Sequence, residues 1–332
     1  MGFPFRNIII ALGAAAGFGC SLIDDDLSDC GVTFETSYEM RLVTNMDTEI
    51  RTQLPLESDI YAATALKDYL KNIFTDYAHD IDLSFYCVEA DSIRLKHMSE
   101  LMDASQSKYV LYIPSRRYMH LAAANLRENG IVKMTDSTLC HRSTLVQKDM
   151  DTIPAHRTGL FTAKLPMDVL SGQDQSFDVR LYMSNCAASL VIDTLGCNLK
   201  HFDAFASGFA TSFAICDSIY GFKSSPVVRA DLVPVGDGRQ ICYTSVNFPS
   251  KEPEGTKTAG DEASWKWKVY STLSDGTVVE TELGVENPLR AGQLRIIKVK
   301  ALDNGAVQPD MSQVGISVKI DWNYAHEVDI EL

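Results

Sequence analysis

The sequence predicts a mainly β protein built as two tandem β-sandwich domains, the first carrying one or two helices. Three observations carry this expectation. Apolar residues alternate with polar ones in many short runs along the chain, the signature of strands with one buried face. A helical period of three and four appears in one long stretch only, Ile60 to Phe74. The length, 332 residues, suits two domains of about 150 residues better than one.

Taken in order, the first strand is the run Val32 to Leu42, where Val32, Phe34, Thr36, Tyr38, Met40 and Leu42 occupy one face and Thr33, Glu35, Ser37, Glu39 and Arg41 the other. Ala63, Leu66, Leu70 and Ile73 then recur at helical spacing, with Lys67, Asp68 and Lys71 between them, so the segment is an amphipathic helix. Period two returns in Ile81, Leu83, Phe85 and Cys87, in Tyr109, Leu111 and Ile113, and less cleanly from Tyr118 to Leu126. A polar stretch with Pro154 near residues 150–157 precedes a fresh series of strands beginning at Leu160. The boundary is therefore expected there, giving domains 31–155 and 156–332. Further strands are read at Phe177 to Met183, Leu190 to Ile192, Phe205 to Ile215, Ile241 to Val246 and Trp265 to Val269. The last, Val314 to Trp322, carries Val314, Ile316, Val318, Ile320 and Trp322 on one face. Lys251 to Glu262 is rich in Lys, Glu, Pro, Gly and Thr and reads as an exposed loop. Short strands and few helices with regular turn signals point to β-sandwiches.

The N-terminus has its own logic. Arg6 is followed by twelve apolar or small residues, Ile8 to Gly19, then Cys20 and the acidic residues Asp24, Asp25 and Asp26. The apolar run is too short to span a bilayer, which needs about 20 residues, and reads as a cleaved export signal over residues 1–19. Gly19 is the small residue expected before the cut, although no Leu stands three residues before Cys20. The arrangement resembles a bacterial lipoprotein signal, and the aspartates resemble the tag that sends such proteins to the outer face of the outer membrane. An ordinary signal peptide with an incidental cysteine is the plain alternative, against which the acidic run weighs. On the first reading Cys20 receives diacylglyceryl and N-acyl chains, residues 20–30 form an acidic tether, and several acyl chains give lasting anchorage where one would not.

Removing the first 19 of 332 residues leaves 313, with 29 basic and 44 acidic residues and a net charge of −15. Such a chain repels nucleic acid and anionic headgroups. Besides Cys20 there are seven cysteines, Cys30, Cys87, Cys140, Cys186, Cys197, Cys216 and Cys242, so at least one stays free or pairs between chains. No C-x-x-C spacing supports a zinc ribbon or a redox site. Cys87 and Cys216 lie in apolar runs, where cysteine acts as a small core residue. Cys186 and Cys197 are close enough to bridge a hairpin, and Cys30 could pair near the tether.

No glycine loop for phosphate, no G-x-S-x-G elbow and no H-E-x-x-H helix is present, so no enzyme, nucleotide, metal or other cofactor is expected. His79, Asp80 and Asp82 are clustered, but on a strand the two aspartates share one face and His79 takes the other, which suits strand entry better than a metal site. Trp265 and Trp267 could stack sugar rings if exposed. Their alternation with Lys266 and Lys268 fits a core face, and the same holds for Trp322.

Four places resemble the FimB-type fimbrial anchor and accessory lipoproteins of type V pili in Bacteroidota: Cys20 to Phe34 with Cys30 ahead of the first strand; Tyr77 to Leu83; Leu165-Pro166-Met167 with Phe177 to Cys186; and Ile316 to Trp322 with His326-Glu327-Val328 behind it. The resemblance implies two transthyretin-like sandwiches, no enzymatic activity, and a role at the base or tip of a fimbrium, with fimbrial subunits and the outer membrane as partners. Shaft subunits of that family lose their first strand by cleavage after an arginine. An anchor that did so would lose its lipid, so the strand Val32 to Leu42 is expected to be retained despite Arg41 and Arg51. The strand Val314 to Trp322, with the tail to Leu332, is the candidate subunit contact, or it simply closes the second sandwich. A surface lipoprotein that binds glycan through its tryptophans is the competing reading; a secreted hydrolase is a distant third.

Overall fold

The computed structural model describes residues 31–42, 45–75, 78–89, 93–101, 108–135, 137–197, 199–223, 226–236, 238–252, 263–310 and 315–321. Cys20, Asp24 to Asp26, Cys30, Val314 and Trp322 lie outside them, as does most of the expected loop 251–262. The first half contains β1 (Gly31–Arg41), α1 (Met46–Gln53), a 3-10 turn (Glu57–Asp59), α2 (Ile60–Ile73), β2 (Asp80–Cys87), β3 (Ile93–Leu101), β4 (Lys108–Pro114), β5 (Arg117–Ala124) and the short α3 (Leu126–Asn129). There follow β6 (Val132–Met134), a 3-10 turn (Cys140–Arg142), β7 (Thr144–Gln147), β8 (Thr152–Pro154), β9 (Phe161–Asp168) and β10 (Ser176–Met183). The second half holds β11 (Cys186–Asp193), β12 (Leu199–Ser207), β13 (Ser212–Ala214), β14 (Ile219–Gly221), β15 (Val227–Arg229), β16 (Asp231–Val233) and β17 (Gln240–Asn247). It ends with β18 (Trp265–Leu273), β19 (Val278–Val285), β20 (Leu294–Ala301), β21 (Val307–Pro309) and β22 (Ile316–Asp321).

The expected mainly β architecture of two sandwiches, with helices in the first half, is the one found. Seven strands form the first sheet in the order β3-β2-β5-β9-β10-β1-β4. β9 pairs with β5 over eight residues but with β10 at only two positions, Thr162 and Phe161 opposite Tyr182 and Met183. Pro166, which has no N–H to give, stands in the part of β9 beyond those rungs. The sheet folds over at this corner, so that β1 faces β5: the Tyr38 hydroxyl donates to His120 Nε2 at 3.1 Å, although three strand steps separate them in the sheet. His120 Nδ1–H donates to the Ser84 carbonyl at 3.1 Å, and the ring stacks on Phe85 with centroids 4.3 Å apart.

The second sandwich packs a sheet β16-β17-β11-β20-β21 against a sheet β22-β19-β18-β12-β15-β8, with Trp265 and Trp267 fully buried between them. The expected single strand Phe205 to Ile215 is broken at Gly208, where φ is +91° and a Cβ would come within 2.8 Å of the Trp265 backbone. The chain turns there and starts β13.

The boundary between the halves differs from the one expected at residues 155/156. β9 and β10 complete the first sheet, so the change of sandwich falls between Met183 and Cys186. The polar stretch that reads as a linker makes β8, which pairs in parallel with β15 on the second sandwich. A small sheet, β14-β13-β7-β6, likewise joins strands from both halves. Ile153, Ala155 and His156 in this stretch are buried, and local polarity could not reveal that the chain crosses over and returns.

α1 and α2 lie between the two sandwiches. Ala62, Leu66, Leu70 and Ile73 of α2 share one core with first-sheet residues such as Leu83 and Leu181 and with Ala187, Val191, Cys242 and Ile296 of the second half. α1 begins at Asn45, whose side chain accepts from Thr48 N–H, with Asp47 and Glu49 in its first turn, as favoured at a helix N-terminus. Its last residue reaches across: Gln53 donates to the Leu294 carbonyl at 2.9 Å and accepts from Ile296 N–H at 2.7 Å. β21 pairs with β20 only from Val299 to Ala301, so this carboxamide takes the place of a strand along the uncovered part of β20. Asp59, at the start of α2, bonds Lys298 at 2.7 Å and Gln240 at 3.1 Å, with its side chain only 2% exposed. Tyr69 donates to Asp231 at 2.6 Å.

Two outcomes follow for stability. Lys298→Ala strands a buried carboxylate and is expected to cost about 3 kcal/mol, whereas Asp59→Asn with Lys298→Met removes both charges and recovers most of it; urea unfolding midpoints of the three proteins check this. Burial lowers the imidazole of His120 from 6.5 to about 4 and that of His156 to about 3. A depressed pKa means that the unfolded chain takes the proton first, so the stability is fully present above pH 6.5 and is lost as pH falls toward these values, by about 3 kcal/mol per ring near pH 4. Asp80 and Asp82, raised by desolvation, pull the other way. Denaturation midpoints measured between pH 7 and pH 4 should fall, and the ring resonances of both histidines should stay neutral through pH 5.

Candidate functional site

A sandwich can meet another subunit most simply through a strand edge, because unpaired N–H and C=O groups there accept a further strand. Most edges of this molecule are blunted. β6, β8, β14, β16 and β21 have three residues each, and β8 and β21 end in Pro154 and Pro309. β3 is longer but carries Arg94, Lys96 and His97, and charge on an edge discourages pairing. Two long edges remain among the described residues, β22 and β4.

β22 pairs with β19 from Ile316 opposite Val285 to Asp321 opposite Glu280. Ile316, Val318 and Ile320 stand opposite Val285, Leu283 and Thr281, so they belong to the inward face. They are covered unevenly. Leu283 and Val285 are fully buried and Ile316 packs on the second core, but Val318 is 41% exposed. The inward row of the sandwich thus continues past the area that the facing sheet covers, leaving apolar surface beside an open backbone edge. On the other face, Lys266, Lys268, Glu280 and Glu282 form a ladder of ion pairs at 2.9 to 4.0 Å. The sequence placed Ile316, Val318 and Ile320 on one face correctly.

β4 flanks β1, and its outer face shows Val110 at 71% and Tyr112 at 64% exposure, while Leu111 and Ile113 are buried. The sequence analysis did not single out this surface. The available signal was that both faces of the run 109–113 are apolar, whereas one buried face would have sufficed for a strand. β1 itself is interior, paired in parallel with β10 and antiparallel with β4 over seven positions each. It carries Phe34 and Tyr38 into the core. Arg41 at its end is exposed and paired with Glu39 at 2.8 Å.

The other residues singled out in the sequence have structural partners. The Asp80 carboxylate accepts from the backbone N–H of Leu126 and Arg127, and so starts α3. Asp82 bonds His97 at 2.9 Å, and Arg94 lies 2.9 Å from the other ring nitrogen. Among the described residues no group of His, Cys, Asp and Glu is placed to hold a metal ion. Cys186 contacts the Phe248 carbonyl and Cys197 the Ala301 carbonyl, so this pair does not form the hairpin bridge that its spacing allowed. Cys87 is a buried core residue as read. Trp265 and Trp267 are 1% and 0% exposed, and Trp265 donates to the Asn287 carbonyl at 3.0 Å. They are core, and no sugar ring can reach them.

A cleft of about 870 Å³ lies beside the Asp59–Lys298 tie, with Tyr61, Leu195, Arg239 and Lys300 in its walls. Asp59 and Lys298 satisfy each other there, so neither is presented as an acid or a base. No helix among the described residues is long and apolar enough to cross a membrane.

No protein-family model and no curated protein matches the sequence. Solved structures do share the fold. A candidate polysaccharide-binding protein of Bacteroides thetaiotaomicron superposes with a TM-score of 0.51 at 8% identity, over 86% of this chain and 97% of its own. A candidate adhesin of Bacteroides ovatus gives a TM-score of 0.51 at 10% identity, over 92% of this chain and 99% of its own. The fimbrial anchor protein Mfa2 of Porphyromonas gingivalis aligns over 88% of this chain and 98% of its own at 10% identity, with a TM-score of 0.49. The chain thus shares its fold with a candidate polysaccharide-binding protein and a candidate adhesin. At such identities the likeness is one of fold.

Proposed function

We propose that this chain is a surface lipoprotein of the outer membrane that serves as the anchor or a minor accessory subunit of a fimbrium, held by acyl chains on Cys20 and joined to the next subunit by strand addition at β22. The observation that carries the reading is the open edge of β22, a six-residue strand with alternating faces, partly uncovered, at the end of a two-sandwich fold. The alternation continues in the sequence beyond it: Trp322, Tyr324, His326, Val328, Ile330 and Leu332 alternate with Asn323, Ala325, Glu327, Asp329 and Glu331. A strand of that pattern offers backbone bonds for affinity and one apolar row for register. At the other end, Gly31 opens β1 eleven residues after Cys20. The acidic tether spans at most about 40 Å when extended, which holds the first sandwich close to the lipid surface. Asp24, Asp25 and Asp26 act on this reading as the outward export tag. The interior position of β1 supports its retention in the mature protein. The burial of Trp265 and Trp267 takes away the platform on which the glycan-binding reading depended.

Fractionation and immunolabelling of fimbriate cells carrying Cys20→Ala test the proposal. The expected result is fimbriae shed into the medium, with wild-type mature protein beginning at Cys20. Unchanged retention of fimbriae by Cys20→Ala, or a mature N-terminus beyond Arg41, contradicts it.

A further inference from the structure

The small sheet β14-β13-β7-β6 is where the two halves of the chain interlock, and it brings two cysteines together that are 76 positions apart. β7 and β13 pair through Leu145 opposite Phe213 and Thr144 opposite Ala214, and Ile215 N–H then donates to the Ser143 carbonyl at 3.1 Å. These rungs seat Cys216 beside the 3-10 turn that carries Cys140. The two sulfurs are 2.8 Å apart. Cys140 is buried, in a cluster with Tyr86, Leu145 and Phe213, whereas Cys216 is half-exposed. Lys164 donates from its ammonium to the Cys216 carbonyl, which places a positive charge beside the pair.

We infer that Cys140 and Cys216 form a disulfide in the mature protein, a covalent staple between a loop of the first half and a loop of the second. A sulfur pair this close needs little movement to reach the bond length of about 2.05 Å, and one member is open to an oxidant while the other is enclosed. The oxidant is an external disulfide, R–S–S–R, from a thiol oxidoreductase or a small thiol. The Cys216 thiolate attacks one sulfur of R–S–S–R, forming a mixed disulfide and releasing one RS⁻, which takes up the proton lost by Cys216. The Cys140 thiol then loses its proton and attacks Cys216 Sγ, displacing the second RS⁻, which takes up that proton. The two cysteines are oxidised by two electrons in all, and the external disulfide is reduced to two RSH. Cys216, the half-exposed member, acts as the attacking thiol and the buried Cys140 as the resolving one; burial and the neighbouring thiol raise the Cys140 thiol, and the Lys164 ammonium acts the other way. Cys186 is fully buried beside the Phe248 carbonyl, and Cys197 lies against the Ala301 carbonyl.

The inference rests on the proposed surface location for its oxidising surroundings, and the test separates the two. Full-length protein recovered from cell surfaces, and the same chain produced reduced and then treated with oxidised glutathione, are each denatured without reductant, alkylated and mapped by mass spectrometry. In both, Cys140 and Cys216 should escape alkylation and appear as one linked peptide pair, lighter by two hydrogens than the reduced pair. In Cys216→Ser, Cys140 should become alkylated while the other cysteines are unchanged. Reductant should lower the thermal midpoint of the wild type and leave that of Cys216→Ser where it was. Full alkylation of both residues after glutathione treatment, or a link to Cys197 instead, overturns the inference. A linked pair after glutathione treatment with free thiols in the cell-derived protein upholds the site and counts against the surface location.

Discussion

The arrangement of the molecule depends on how the helical layer is tied to the second sandwich. Gln53 serves β20 as a neighbouring strand would, bonding the Leu294 carbonyl and the Ile296 N–H. Six residues further on, Asp59 bonds Lys298 and Gln240. Both sets of bonds are largely removed from water, where an unmet polar group costs about 1–3 kcal/mol and an unmet charge more. The helices therefore cannot slide on the second sheet without leaving several such groups unpaired. Asp59 stands at the N-cap of α2 yet makes no capping bond; its carboxylate is committed to Lys298 and Gln240, and the helix retains only the favourable field of a nearby anion.

This tie makes the sheet β16-β17-β11-β20-β21 an inner layer. β11 is buried at all but its last residue and β17 at all but its second, because one face meets Trp267 and its neighbours while the other meets α2. The first sheet is in a similar position where β2 and β5 lie between the helices and the small sheet. The two sandwiches are joined further by strands exchanged at β8 and in the small sheet.

Much of this was legible in the sequence wherever one face of an element meets solvent. β1, α2, β10, β18 and the described part of β22 show the alternation or helical period expected of them. The signal fails where both faces are buried: β11 reads Cys-Ala-Ala-Ser-Leu-Val-Ile, with no polar face to mark its full length. α1 is too short, at eight residues, to show a helical period clearly. Chain crossover is invisible locally, so the polar stretch around Pro154 read as a boundary although β9 and β10 return to the first sheet. Gln53 and Asp59 carry no sequence signal at all, because their importance lies in partners about 180 to 240 positions away. For the candidate contact, the face of Ile316, Val318 and Ile320 was readable, but the shortfall of the facing sheet that exposes Val318 is a property of the assembled sandwich.

The proposed role places attachment at both ends of the chain, with acyl chains before β1 and a subunit beyond β22. The most direct measurement removes residues 323–332 from the otherwise intact lipoprotein and asks where the fimbriae are. The account predicts a folded, lipidated protein at the cell surface, with fimbriae in the medium. Fimbriae held on these cells as firmly as on wild type would contradict it.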